Sequence, residues 1–292
     1  TLINDGQVRT AGGDTAVFAD VDNSGWVEVI ENTTTFYGDF TNNPGATVKN
    51  TGGTIRYLGT FTNNGAVISD PADNYFLDVL NGDTGYFVGG VGDRFIVAGD
   101  FLSSSTQNAQ WDTAGAELIF KAGAGRQHTL SVTGADLGKD PAGWVDNFAW
   151  GRLLIEPAQK LLLEDGNAVP DGGLYLGELV FGGVGSGIVL NRLHVYYLNG
   201  GDPKELFYGD ANLDGMVSIA DLGALADNYG REGVTWYQGD FNADGRSGIA
   251  DLGALADNYG AGRPGGAAAV PEPAAAALLL VGFGALLRRR RR

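Results

Sequence analysis

The chain has 292 residues, enough for one large or two modest domains with real cores. Glycine is abundant at 48 and proline scarce at 9, while aromatic and β-branched residues stay plentiful; this excludes a disordered chain and points to an all-β one full of turns. Cysteine is absent, which excludes disulfide staples and thiolate metal sites; the net charge of −16, or −21 without the five terminal arginines (14 Lys and Arg against 35 Asp and Glu), excludes nucleic acid as a partner and suits calcium-rich surroundings outside the cell.

The chain opens Thr1-Leu2-Ile3-Asn4 without Met or an export signal, so a further N-terminal stretch carrying that signal is expected upstream. Residues 1–204 form a first zone of short β-rich runs between Gly, Asn and Asp turns: Trp26–Ile30, Thr54–Leu58, Arg94–Ala98, Glu117–Lys121, Thr129–Thr133, Leu174–Phe181 and Ile188–Leu198. One repeat shows within it. Phe36-Tyr37-Gly38-Asp39-Phe40-Thr41-Asn42-Asn43 recurs as Tyr57-Leu58-Gly59-Thr60-Phe61-Thr62-Asn63-Asn64, with a fainter copy at Val97–Phe101. The short, even spacing of these copies matches one coil of a parallel β-solenoid, with Phe40 and Phe61 turned inward to stack and the Asn pairs at a corner, where Asn tolerates a left-handed backbone and bonds along a ladder. A β-sandwich with Greek-key strands is the alternative fold.

Residues 205–262 hold two near-identical segments, Gly209–Gly230 and Gly239–Gly260, which agree at 17 of 22 positions. Each opens with D-x-N-x-D-G and has Asp at the twelfth loop position. Calcium takes six to eight hard oxygens, and a twelve-residue loop supplies them from positions 1, 3, 5, 7, 9 and 12. In the first loop these are Asp210, Asn212, Asp214, the Met216 carbonyl, Ser218 and Asp221; in the second, Asp240, Asn242, Asp244, the Arg246 carbonyl, Gly248 and Asp251. Gly248 has no side chain, so a water or a carbonyl must serve there. Gly215 and Gly245 fill the sharp turn at position 6. The spacing of Leu222, Leu225 and Tyr229 predicts a short helix after each loop, ended by Gly230 or Gly260. The residues before each loop, Lys204–Tyr208 and Thr235–Gln238, read as extended, so these are EF-hand-like loop–helix units and not full helix–loop–helix hands.

This pair resembles a type I dockerin, a small calcium-binding module that binds cohesin domains and assembles extracellular enzymes and scaffolds. The resemblance covers the second zone, 205–262, and implies two bound calcium ions and a docking face at loop positions 10 and 11, here Ile219-Ala220 and Ile249-Ala250. Dockerins of cellulose-degrading complexes carry hydroxyl residues there. The near-identity of the halves fits a two-fold surface that binds in two orientations.

Residues 263–292 begin with a Gly- and Ala-rich linker and continue as Val270-Pro271-Glu272-Pro273, the fourteen apolar or small residues Ala274–Leu287, and five Arg. Fourteen residues span about 21 Å as a helix, short of the ~30 Å hydrocarbon core, so the segment makes a marginal permanent anchor with its Arg cluster on the cytoplasmic side. The arrangement resembles the PEP-CTERM sorting signal of exported bacterial proteins. It implies a hydrophobic sorting helix, transient membrane association, recognition by an exosortase, removal of the tail, and delivery to the cell surface or extracellular matrix.

No catalytic set stands out in the first zone. His128 and His194 lie far apart, and His194 reads as a strand side chain. Asp93-Arg94 and Glu156 are candidate acids by position only and read as solvated surface groups; Lys121 and Arg126 have no acidic cluster around them. Trp26, Trp111, Trp144, Trp150, Tyr196 and Tyr197 suit core packing better than a carbohydrate platform. The sequence therefore points to an exported surface or matrix protein that binds calcium and docks to a cohesin-like protein or an exopolysaccharide. The alternatives are a polysaccharide hydrolase or lyase with its site in the β-rich domain, and a purely structural matrix component.

Overall fold

The computed structural model describes residues 1–123, 125, 127–168 and 172–263. Arg126 and the whole Val270-Pro271-Glu272-Pro273 tail lie outside them. Among the described residues no helix is long and apolar enough to cross a membrane. The chain divides into two compact units, Thr1–Gly182 with Ile188–Pro203, and Gly183–Gly187 with the segment from Lys204 on.

The first unit is a parallel β-solenoid of about nine turns spanning residues 2–197. Strand after strand pairs in parallel with its counterpart one coil on, which removes the β-sandwich alternative. Val21, Phe40, Phe61, Val79 and Phe101 share one register column, and all are buried. A second column holds Phe36, Tyr57 and Phe76, whose rings stack at 5.3 and 5.2 Å with interplanar angles of 10°. That spacing follows the separation of paired strands, so one aromatic per coil fills the interior without gaps. Val27, Val48, Val67 and Phe87 line the five-stranded wall opposite.

One corner is an asparagine ladder. Asn4 donates to Asn23 at 2.7 Å, Asn23 to Asn42 at 2.8 Å, Asn42 to Asn63 at 2.8 Å, Asn63 to Asn81 at 2.8 Å, and Asn81 to the Ser103 hydroxyl at 3.0 Å. Every member is buried. The links bridge 19, 19, 21, 18 and 22 residues, which is the period seen in the sequence. The first Asn of each Asn pair makes the ladder from a strand conformation, while the second points out; Asn43 donates to Asp22 and to the Ser24 hydroxyl. Neither Asn42 nor Asn63 has the left-handed backbone expected of a corner Asn. Glycine instead lets successive coils close up at this corner: a Cβ on Gly25 would lie 2.1 Å from the Gly6 carbonyl oxygen, and one on Gly65 2.3 Å from that of Ala46.

The fainter copy at Val97–Phe101 is two coils from Tyr57–Phe61. The coil between them, Phe76–Val79, is one residue shorter, and its register with Tyr57–Phe61 shifts between Phe76 and Asp78. Outside the barrel, Asp73, Arg94, Glu117, Arg152 and Glu178 form a column of alternating charge. Arg94 pairs with Asp73 at 2.5 Å, and Arg152 with Glu117 at 2.6 Å and Glu178 at 2.9 Å. The run expected over Ile188–Leu198 is two strands, Gly187–Val189 and His194–Tyr197, because Asn191 and Arg192 take left-handed conformations and turn the chain.

Candidate metal centres

The second unit carries two short helices, α1 (Ile219–Asn228) and α2 (Ile249–Asp257), each following one of the twelve-residue loops. Asp221 and Asp251 sit in the first turn and close the loop onto the helix. Asp221 accepts the Ala211 amide at 2.9 Å and the Ser218 amide at 2.8 Å; Asp251 accepts the Phe241 and Gly248 amides at 2.8 Å each. Carboxylates at a helix N-terminus are favoured by its free N–H groups. Asp210 accepts the Asp214 amide at 3.2 Å and the Gly215 amide at 2.9 Å, and Asp240 the corresponding Asp244 and Gly245 amides at 3.0 and 2.9 Å. Gly215 and Gly245 turn the loop at φ +83° and +84°, in the region glycine enters freely.

The two repeats interlock reciprocally. Gly230, after α1, donates to the Ser247 carbonyl at position 8 of the second loop at 2.8 Å; Gly260, after α2, donates to Val217 at position 8 of the first at 2.9 Å. Gly209 lies so close to α2 that a Cβ would meet the Leu255 Cα at 2.7 Å, and a Cβ on Gly239 would meet the Leu225 Cα on α1 at 2.8 Å. Trp236 is fully buried and donates its indole N–H to the Asp210 carbonyl at 2.7 Å. Trp236–Gln238 is a 3-10 turn and corrects the extended reading of Thr235–Gln238; the Gln238 side chain accepts the Thr235 amide at 3.1 Å and fixes the turn. Leu225 is buried and Leu222 half-buried as the helical spacing requires, while Tyr229 lies just past the end of α1.

Asp210, Asp221, Asp240 and Asp251 are buried. No Lys or Arg pairs with Asp240, Asp244 or Asp251 among the described residues. Burial pushes Asp240 up to about 6, against the pull of the Gly245 and Asp244 amides and with help from the charges of Asp251 and Asp244. Burial raises Asp251 as well. Among the described residues no three His, Cys, Asp or Glu side chains converge as a cluster; each loop offers three Asp, one Asn oxygen and a backbone carbonyl. That all-oxygen, acid-rich donor set fits a hard dication such as calcium. Ser218 caps α1 by accepting the Ala220 amide at 3.2 Å, and Gly248 takes its place at the second loop. Ile219, Ala220, Ile249 and Ala250 are all exposed, the two isoleucines at 69% and 68%. Comparison with protein-family models, with curated proteins and with solved structures gives no match.

The solenoid does not gather the other candidate residues into one site. His128 is buried, with its ring nitrogens on the Gly99 carbonyl at 2.7 Å and Gln159 Oε1 at 3.0 Å. His194 is a strand residue, 3.9 Å from Asp136. Asp93 is buried and not a solvated surface group: its oxygens accept the Ala72 amide at 2.8 Å and the Gly90 amide at 2.7 Å, which ties one coil's corner to the next. Arg94 belongs to the charge column, Glu156 accepts the Ala122 amide at 3.3 Å, and Lys121 lies over the Tyr75 ring at 5.5 Å. Trp111, Trp150, Tyr196 and Tyr197 are buried in the core, whereas Trp26 and Trp144 are half-buried.

Proposed function

We propose that this is an exported cell-surface or matrix protein whose C-terminal unit binds two calcium ions and docks, through Ile219-Ala220 and Ile249-Ala250, to a cohesin-like protein or an exopolysaccharide. The observation that carries the reading is the pair of loops, each folding carboxylates inward beside a left-handed glycine, with no cation among the described residues paired to those of the second loop. Two calcium ions would offset the cost of burying these carboxylates and hold each loop against its helix. The reciprocal glycine contacts then join the two loops, so that ordering one steadies the other. Two exposed isoleucines at matching positions give a two-fold apolar face of the kind a partner protein covers.

In this reading the Val270-Pro271-Glu272-Pro273 tail directs exosortase-dependent export, and the solenoid is the passenger presented outside. The test is calorimetric titration of the full chain with calcium after chelator treatment. Two sites, lost together in Asp210→Ala/Asp240→Ala, are expected; heat of binding that persists in the double variant counts against the proposal.

A further inference from the structure

The solenoid carries a cleft that the calcium-binding reading does not use. Between the strands Gln127–Val132 and Trp150–Ile155 the chain leaves the coil for residues 133–149, about twice the length of the 104–112 connection in the coil before. This excursion forms one wall of a cleft of about 260 Å3. The turn ending at Trp111 and Asp112 also lines it, as does Thr113, whose hydroxyl donates to the Ala149 carbonyl at 2.7 Å.

The excursion is held rigidly. Buried Asn147 accepts the Ala135 amide at 2.8 Å and donates to the carbonyls of Ala135 at 3.0 Å and Gly143 at 3.3 Å. The Tyr175 hydroxyl accepts the Leu137 amide at 2.6 Å and donates to the Gly138 carbonyl at 3.1 Å. Gly143 lies so close to the Tyr175 ring that a Cβ would approach to 2.0 Å. Trp144 is fixed by its N–H on the Leu176 carbonyl at 2.9 Å and by edge-on contact with Tyr175 at 4.9 Å, yet it stays half-buried and lines the cleft. Asn108 ties the turn before Trp111 to the excursion by donating to the Asp146 carbonyl at 3.0 Å.

Asp146 and Phe148 flank Asn147 at φ +47° and +58°. A left-handed Phe is strained, and such strain persists where the surroundings impose it, often at binding sites. Here it sets Asp146 on the cleft wall beside Val145 and Trp144.

We infer that this cleft binds a neutral saccharide, one or two sugar units of a longer chain. Trp144, half-buried and held in one orientation, brings part of its indole to the cleft lining, an apolar contact for the C–H groups of a pyranose. Asp112 and Asp146 accept hydrogen bonds from ring hydroxyls, and their charge repels uronates and sulfated glycans. The volume falls just under the range of about 300–1,000 Å3 usual for larger ligands, which suits a short stretch of glycan. The passenger would then hold an exopolysaccharide through its side while the second unit docks elsewhere.

The test uses the full chain with calcium present and neutral hexasaccharides of glucose, mannose, galactose, xylose and N-acetylglucosamine, with oligogalacturonate as the acidic arm, each followed by calorimetry and tryptophan fluorescence. Binding of at least one neutral hexasaccharide is expected, weakened at least tenfold in Asp146→Asn, which keeps a residue tolerant of the left-handed backbone, and lost in Trp144→Ala. Trp26→Phe, outside the cleft, leaves binding unchanged. An absence of binding to every neutral hexasaccharide, preference for oligogalacturonate, or binding indifferent to Asp146→Asn with its fold intact by circular dichroism overturns the inference.

Discussion

Replacing Asn42 by alanine tests whether the corner ladder holds the solenoid together. The amide of Asn42 accepts from Asn23 at 2.8 Å and donates to Asn63 at 2.8 Å and to the Ala66 carbonyl at 3.1 Å. Alanine removes all three bonds and weakens two buried neighbours: the Asn23 amide keeps only longer contacts to the Thr47 and Gly25 carbonyls at 3.3 and 3.4 Å, and Asn63 Oδ1 keeps only the Gly65 amide at 3.2 Å. A neutral hydrogen bond contributes about 1 kcal/mol net, while a buried group stripped of its partner costs about 1–3 kcal/mol. The sum for Asn42→Ala is roughly 3–5 kcal/mol. Asn4→Ala, at the end of the ladder, loses the buried bond to Asn23 at 2.7 Å and two part-buried bonds, to the Trp26 carbonyl and from the Gly6 amide, at 3.1 Å each; water replaces the last two, so its cost is about 1–2 kcal/mol. Urea unfolding followed at a β-sheet circular dichroism band gives both values, with tryptophan fluorescence as a second probe because repeat folds lose coils stepwise. Equal losses from the two variants, or a change under about 0.5 kcal/mol for Asn42→Ala, would refute the ladder argument.

Tyr57 is fully buried, its hydroxyl has no hydrogen-bond partner among the described residues, and burial drives its ionisation far above the ordinary tyrosine range. Tyr57→Phe keeps the stack with Phe36 and Phe76 and removes the unpartnered hydroxyl, so thermal melting should show a gain of about 1 kcal/mol; a loss of that size means the hydroxyl is bonded in solution. Gly239→Ala places a Cβ against the Leu225 Cα at a backbone φ of +92°, and calcium-dependent folding of the second unit should be lost, as seen by proteolysis within the full chain. In chelator, Asp240 protonates near 6 when folded and near 3.8 when unfolded, so the folded state holds the proton more tightly. Its contribution to stability is present below 3.8 and is lost as pH rises through about 6, by at most about 3 kcal/mol and less where water screens the loop. Hydrogen exchange of the second unit between pH 4 and 7 reads this, and rising protection with pH in chelator would contradict it.

The repeat Phe40 to Phe61 was enough to reveal coil length and inward aromatic stacking, because one aromatic per coil is a period a sequence displays directly. The corner was half legible. Asn42-Asn43 and Asn63-Asn64 stood out as pairs, but the ladder also runs through Asn4, Asn23 and Asn81, and only three of its five asparagines are followed two residues later by Gly, in Asn4-Asp5-Gly6, Asn23-Ser24-Gly25 and Asn63-Asn64-Gly65. Single asparagines in short strands look like turn residues until the register aligns them. Both twelve-residue loops could be read residue by residue, since the proposed ligands and the turning glycine come from one contiguous stretch. Trp236 under the first loop and the reciprocal contacts of Gly209 and Gly239 could not, because each joins residues from different repeats. The cleft beside Trp144 was invisible for the same reason: its walls come from successive coils, and the strain at Asp146 and Phe148 exists only in the fold.

Calcium titration of the chelator-treated full chain, followed by isothermal calorimetry with hydrogen exchange of residues 209–260 in parallel, tests the central claim most directly. Two bound ions with protection gained in both loops, and neither in Asp210→Ala/Asp240→Ala, is the expected result. A chain whose loops are equally protected with and without calcium, and which takes up none, would contradict the account.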